Sequence, residues 1–132
     1  MKGRRILVLA ALLIALATVC GAFGAHALKS QLAPARLEIY ETAVRYHFLH
    51  ALGLLGIGLA ALRFDSRLLR WSAGLVTAGI VLFSGSIYAL TFDVPRIVGI
   101  VTPIGGVALI AGWIVFAAAI WFNPPSAPPT RP

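Results

Sequence analysis

The chain has 132 residues, of which 60% are hydrophobic and only 11% charged, with a formal net charge of +7. A soluble domain carries about 25% charged residues, and a single small core cannot hide this much apolar surface. The composition excludes an ordinary soluble domain, a disordered chain and a large multidomain enzyme. It leaves a small membrane protein.

Four runs lack Asp, Glu, Lys and Arg: residues 6–28, 46–62, 71–92 and 97–122. A spanning helix needs about 20 apolar residues. The second run has 17, but Pro34 is suited to open a helix. Leu37, Tyr40, Val44 and Phe48 continue a helical spacing ahead of it, and Glu41 and Arg45 are placed to pair on its polar face. The predicted helices are therefore about 6–28, 35–62, 71–92 and 97–122. No run alternates with period two, so strands are not expected. The links Lys29–Pro34, Arg63–Arg70 and Asp93–Arg96 are short. Short links make successive helices antiparallel. The expected fold is an all-α membrane protein: one domain over residues 1–122, built as an antiparallel four-helix transmembrane bundle. Residues 123–132 carry five of the eight prolines and are expected to be a disordered, Pro-rich tail.

The charges give an orientation. Lys2, Arg4, Arg5, Arg63, Arg67, Arg70 and Arg131 fall on one side, and Lys29, Arg36, Arg45 and Arg96 on the other. Seven against four places both termini in the cytoplasm. These cations flank the membrane on both sides, so their natural partner is the lipid bilayer and no nucleic acid is expected. The basic start, the apolar run and Ala25-His26-Ala27 also fit a cleavable signal peptide. The run is read here as a retained first span. Cys20 is the only cysteine, so no internal disulfide forms.

Uncharged polar residues inside the spans gather at one depth. His26 lies near the end of the first helix, and Tyr46, His47 and His50 near the start of the second. Ser84, Ser86 and Tyr88 lie late in the third helix, and Thr102 early in the fourth. Antiparallel packing brings all of these into one half of the membrane, the non-cytoplasmic half in this orientation. Trp71 and Trp121 are placed to anchor the opposite interface. Three histidines invite comparison with a metal or haem site, but interhelical hydrogen bonding is the commoner use of such residues. The stretch Ser84-Gly85-Ser86 lacks the turn and the adjacent base of a hydrolase nucleophile.

Gly21, Gly24, Gly85, Gly105 and Gly106 read as helix-packing positions. Small residues also recur every four positions at Ala17, Gly21 and Ala25, at Gly74 and Ala78, and at Ala108 and Gly112. Pro103 removes a backbone donor and is expected to kink the fourth helix near its start.

These same residues carry a family resemblance. Gly21-Ala22-Phe23-Gly24-Ala25-His26, Tyr46-His47-Phe48-Leu49-His50-Ala51, Leu82-Phe83-Ser84-Gly85-Ser86-Ile87-Tyr88, Val101-Thr102-Pro103-Ile104-Gly105-Gly106 and Ala111-Gly112-Trp113 together resemble the domain-of-unknown-function 423 family. These are small bacterial inner-membrane proteins related to the transmembrane protein 256 group. The resemblance runs over residues 6–122. His26 and His50 match, while the family pattern usually has glutamine at the position of His47. The resemblance implies four spans, an uncleaved first helix and an inner-membrane location, and no reaction.

The expected function is non-enzymatic. It is that of a structural or partner-interaction protein, without a cofactor or metal, that associates with itself or with another membrane protein. The alternatives are an oligomeric small-solute transporter or channel and a His-liganded metal or haem protein.

Overall fold

The computed structural model describes residues 3–92 and 94–123. Four long helices follow one another: α1 (Gly3–Phe23), α2 (Pro34–Arg63), α3 (Arg67–Thr91) and α4 (Val101–Phe122). A π-helical turn, Gly24–Leu28, extends α1, and a 3-10 turn, Arg96–Ile100, leads into α4. Each long helix is long and apolar enough to cross a membrane. No strand occurs among the described residues. The proline-rich segment 124–132 and Lys2 lie outside the described residues.

Local chemistry sets the helix ends. Pro34 occupies the first position of α2, where its missing N–H would have no intrahelical partner. At the start of α3, the Ser66 hydroxyl accepts a hydrogen bond from the Leu68 N–H at 3.2 Å. This cap starts α3 at Arg67, four residues before the apolar run, so the expected link Arg63–Arg70 shrinks to residues 64–66. Arg67 and Arg70 thus belong to the helix, and Arg70 pairs with Asp65. Apolar runs locate the hydrocarbon; the cap locates the helix end.

Ahead of Pro103, where a kink was expected, the winding of the chain changes. The chain is 3-10 helical up to Ile100 and α-helical from Val101, so Pro103 falls in the first turn of α4. The Val101 N–H reaches the carbonyls of Val98 and Gly99. An uninterrupted α-helix would pair the Gly99 carbonyl with residue 103, which here is a proline without an N–H.

Packing runs along the chain: α1 on α2, α2 on α3, and α3 on α4, with α3–α4 the most extensive interface. No comparable interface joins α1 to α4 among the described residues. Opposite ends of successive helices meet. Gly3 lies against Ala61, and Gly24 against Tyr40, which makes α1 and α2 antiparallel. The core includes Ile6, Ala10, Leu54, Ile57, Leu69, Val76, Ile80 and Leu109. The outer faces carry exposed Val, Leu and Ile on all four helices, as lipid requires.

Apolar side chains gain nothing by leaving lipid for protein, so helices associate through close contact. A Cβ at Gly105 would overlap the backbone of Leu82 and Phe83. At Gly112 it would lie 2.7 Å from the Val76 side chain, and at Gly79 2.6 Å from Leu109. On the other side of the molecule Gly21 faces Val44 at 3.3 Å, and Gly24 faces the Tyr40 ring at 2.7 Å. Two expected packing positions do not serve that role. A Cβ at Gly74 or Gly85 would meet nothing within 4 Å, because both face outward. Gly106 makes only ordinary contact with Phe83, at 3.6 Å. The expected Glu41–Arg45 ion pair does not form. Both side chains are exposed, where such a pair has little energetic value.

Gly105→Ala is expected to destabilise the protein by about 1–3 kcal/mol through overpacking. Gly74→Ala should be neutral or stabilising by up to about 1 kcal/mol through helix propensity. Thermal unfolding of both variants in one detergent checks the contrast.

Candidate functional site

The polar side chains divide into separate groups, each between a particular pair or trio of helices. The first lies among α1, α2 and α3. His47 is 3% exposed, and its Nδ1 lies 3.3 Å from the Tyr88 hydroxyl of α3. The Tyr88 ring packs on Tyr40, with centroids 5.2 Å apart. The Tyr40 hydroxyl donates to the Cys20 carbonyl of α1 at 2.8 Å. A phenol buried in an apolar span needs such an acceptor. One turn later the Tyr40 ring seats against Gly24, where α1 widens into its π-helical turn. Ser84, 1% exposed, belongs to the same region. Two polar atoms here have no hydrogen-bond partner among the described residues: His47 Nε2 and Ser84 Oγ.

The second group ties α3 to α4. Ser86 and Thr102 share a hydrogen bond of 2.7 Å between their hydroxyls, and Ser86 Oγ also donates to the Phe83 carbonyl at 2.9 Å. Ser84 and Ser86 therefore serve different interfaces, as a two-residue step on a helix dictates. Nearer the other end of the same interface, the Ser72 hydroxyl donates to the Gly112 carbonyl at 2.9 Å. Ser72 is fully buried.

The third group centres on His50. Its Nδ1 donates to the Tyr46 carbonyl at 2.7 Å, which leaves Nε2 as an acceptor in the neutral ring. Tyr46 stacks on His50 at 5.7 Å and 15°, and Trp113 of α4 lies 6.2 Å from it. Tyr46 also packs on Phe83 at 4.7 Å. A Cβ at Gly53 would overlap the Trp113 indole, so this small residue admits the aromatic ring. His26 stands apart, exposed on the π-helical turn. The three histidines do not converge, and among the described residues no three His, Cys, Asp or Glu side chains are placed to hold a metal ion.

Residues 20–106 match the family described as Protein of unknown function (DUF423). The chain belongs to the DUF423 family. It is 44% identical over 113 residues to a UPF0382 membrane protein of Staphylococcus epidermidis, covering 86% of this chain and 92% of that one. Against the UPF0382 membrane protein YwdK of Bacillus subtilis the identity is 42% over 114 residues, covering 86% and 93%. Against the UPF0382 inner membrane protein YgdD of Escherichia coli it is 37% over 113 residues, covering 86% of each chain. No solved structure matches the chain. This DUF423 protein is therefore an integral membrane protein of a family to which no activity is assigned.

Sequence reasoning placed Tyr40 on a helix face without giving it a partner, and it passed over Ser72 and Gly53. The readable signal for Tyr40 and Ser72 was a hydrogen-bonding group inside a span, which must find an acceptor. Gly53 and Trp113 carry no such signal, because their contact depends on how α2 and α4 align.

A double-mutant cycle on Ser86→Ala and Thr102→Val should give a coupling of about 0.5–1.5 kcal/mol, in the range of interhelical bonds in membranes. Ser84→Ala paired with Thr102→Val should give none. Reversible unfolding in mixed micelles measures both.

Proposed function

We propose that this DUF423 protein catalyses no reaction and acts as a structural or partner-binding component of the bacterial inner membrane. The observation that supports this reading is the use made of its polar side chains. Ser72, Ser86 and Tyr40 each bond to a neighbouring helix. Nucleophilic catalysis needs a hydroxyl within reach of a base. Among the described residues, no serine or threonine hydroxyl bonds to a histidine or a carboxylate. The partner we propose is a second copy of the chain or another membrane protein, within the lipid bilayer.

The name of the Escherichia coli relative supports the inner membrane as the location. The excess of Lys and Arg beside the N-terminus, the α2–α3 link and the C-terminus supports a cytoplasmic position for both termini. The His47 and Ser86 groups then lie in the non-cytoplasmic half.

Crosslinking in native membranes should yield a discrete homo-oligomer or a recurrent membrane partner, and His50→Ala should lower its recovery or the stability of the bundle. Selective solute flux through proteoliposomes of the purified protein would contradict the proposal. C-terminal fusions test the orientation: a fluorescent reporter that folds in the cytoplasm should be bright, and a phosphatase that needs the periplasm should be inactive.

A further inference from the structure

A crevice of about 210 Å³ lies between α1 and α2, where the π-helical turn begins. Gly21 and Gly24 form its α1 side, and Tyr40 and Val44 its α2 side. Glu41 and Arg45 line it as well, and part of its accessible surface is polar. Both charged side chains are exposed, and neither makes an ion pair or a side-chain hydrogen bond among the described residues. Single π-helical turns in α-helices are frequent at functional sites.

Helix length gives the depth of the crevice. Arg45 and Arg63 bracket the apolar part of α2, and the helix between them is about 27 Å long. On α1, Gly21 lies beyond Arg5 by about 24 Å. Both distances set the crevice at the boundary of a hydrocarbon layer about 30 Å thick, at the end of the bundle away from Arg5 and Arg63. The order of the two charges is then decisive. Arg45 is the deeper, and Glu41 stands one helical turn, about 6 Å, farther from the hydrocarbon. An amine-bearing phospholipid has the same order, with phosphate beside the glycerol and the ammonium farther out. The pair that Glu41 and Arg45 could make with each other is weak on an exposed helix face, so a ligand bearing both charges displaces little. A purely anionic headgroup, or one with an added carboxylate, would bring like charge to Glu41. A choline would bring no N–H to donate to that carboxylate.

We propose that this crevice seats the headgroup of phosphatidylethanolamine, with Arg45 donating to the phosphate and the ammonium donating to Glu41. The acyl chains stay in the surrounding lipid, so a volume below the range of about 300–1,000 Å³ usual for whole drug-sized ligands is enough. The inference stands apart from the partner-binding role proposed above.

The test is native mass spectrometry of the full chain released from detergent, with phosphatidylethanolamine, phosphatidylglycerol or phosphatidylcholine of identical acyl chains added. Phosphatidylethanolamine should fill one saturable site, about fivefold more tightly than the other two bind, the scale of a partly exposed charged contact. Glu41→Gln and Arg45→Gln should each weaken its binding by a similar factor of about five. Both side chains are exposed, so these variants should fold. Exchanging the charges, Glu41→Arg with Arg45→Glu, keeps the net charge, inverts the order and should abolish the preference. Lys29→Gln, outside the crevice, should leave binding unchanged. Soluble phosphoethanolamine, with both charges and no acyl chains, should not compete at equal concentration. The proposal is overturned by equal binding of the three lipids, by unchanged affinity in both Glu41→Gln and Arg45→Gln, by a preference that survives the charge exchange, or by soluble phosphoethanolamine that competes as well as the lipid.

Discussion

Among the glycine contacts, the tightest against a neighbouring backbone is where Gly105 of α4 rests on Leu82 and Phe83 in α3. With lipid on the outside, apolar burial gives α4 no reason to stay, and contact distance has to supply it. Removing a side chain at Gly105 brings the two helices near enough for short hydroxyls to span the gap. Ser86 then reaches Thr102, and Ser72 reaches the Gly112 carbonyl. Both bonds lie along one interface, and both depend on the same separation. The glycines Gly79 and Gly112 keep that separation along the length of the pair, against Leu109 and Val76.

The α1–α2 pair is held differently. A large side chain fills the space there: Tyr40 reaches across to the Cys20 carbonyl and lays its ring on Gly24. The π-helical turn Gly24–Leu28 begins at that contact. Through Tyr88 the same ring connects to His47, so all three of α1, α2 and α3 meet at one aromatic and polar junction. The α3–α4 contact is close and its hydrogen bonds are made, whereas the α1–α2–α3 junction leaves two polar atoms without a partner among the described residues. The first behaves as framework.

Much of the fold was legible because hydrophobic thickness is a strict constraint. Four uncharged runs became four helices, and short links made them antiparallel. Helix ends were less legible, since they follow caps: Ser66 began α3 four residues before the charge-free run. Depth was legible too, because sequence position along a span gives depth directly. Facing was not. Ser84, Ser86, His47 and His50 share a depth, yet they divide among three separate groups, and that depends on helix rotation and register. For the same reason Gly74 and Gly85 read as packing residues and turned out to face outward. Gly53, which admits Trp113, carried no signal at all.

The α3–α4 register is tested most directly by crosslinking in native membranes. In a Cys20→Ala background, Ser86→Cys combined with Thr102→Cys should form an intramolecular disulfide under mild oxidation, since the hydroxyls they replace lie 2.7 Å apart. Ser84→Cys combined with Thr102→Cys should stay reduced. Failure of the first pair to crosslink, or efficient crosslinking of the second, would contradict the arrangement.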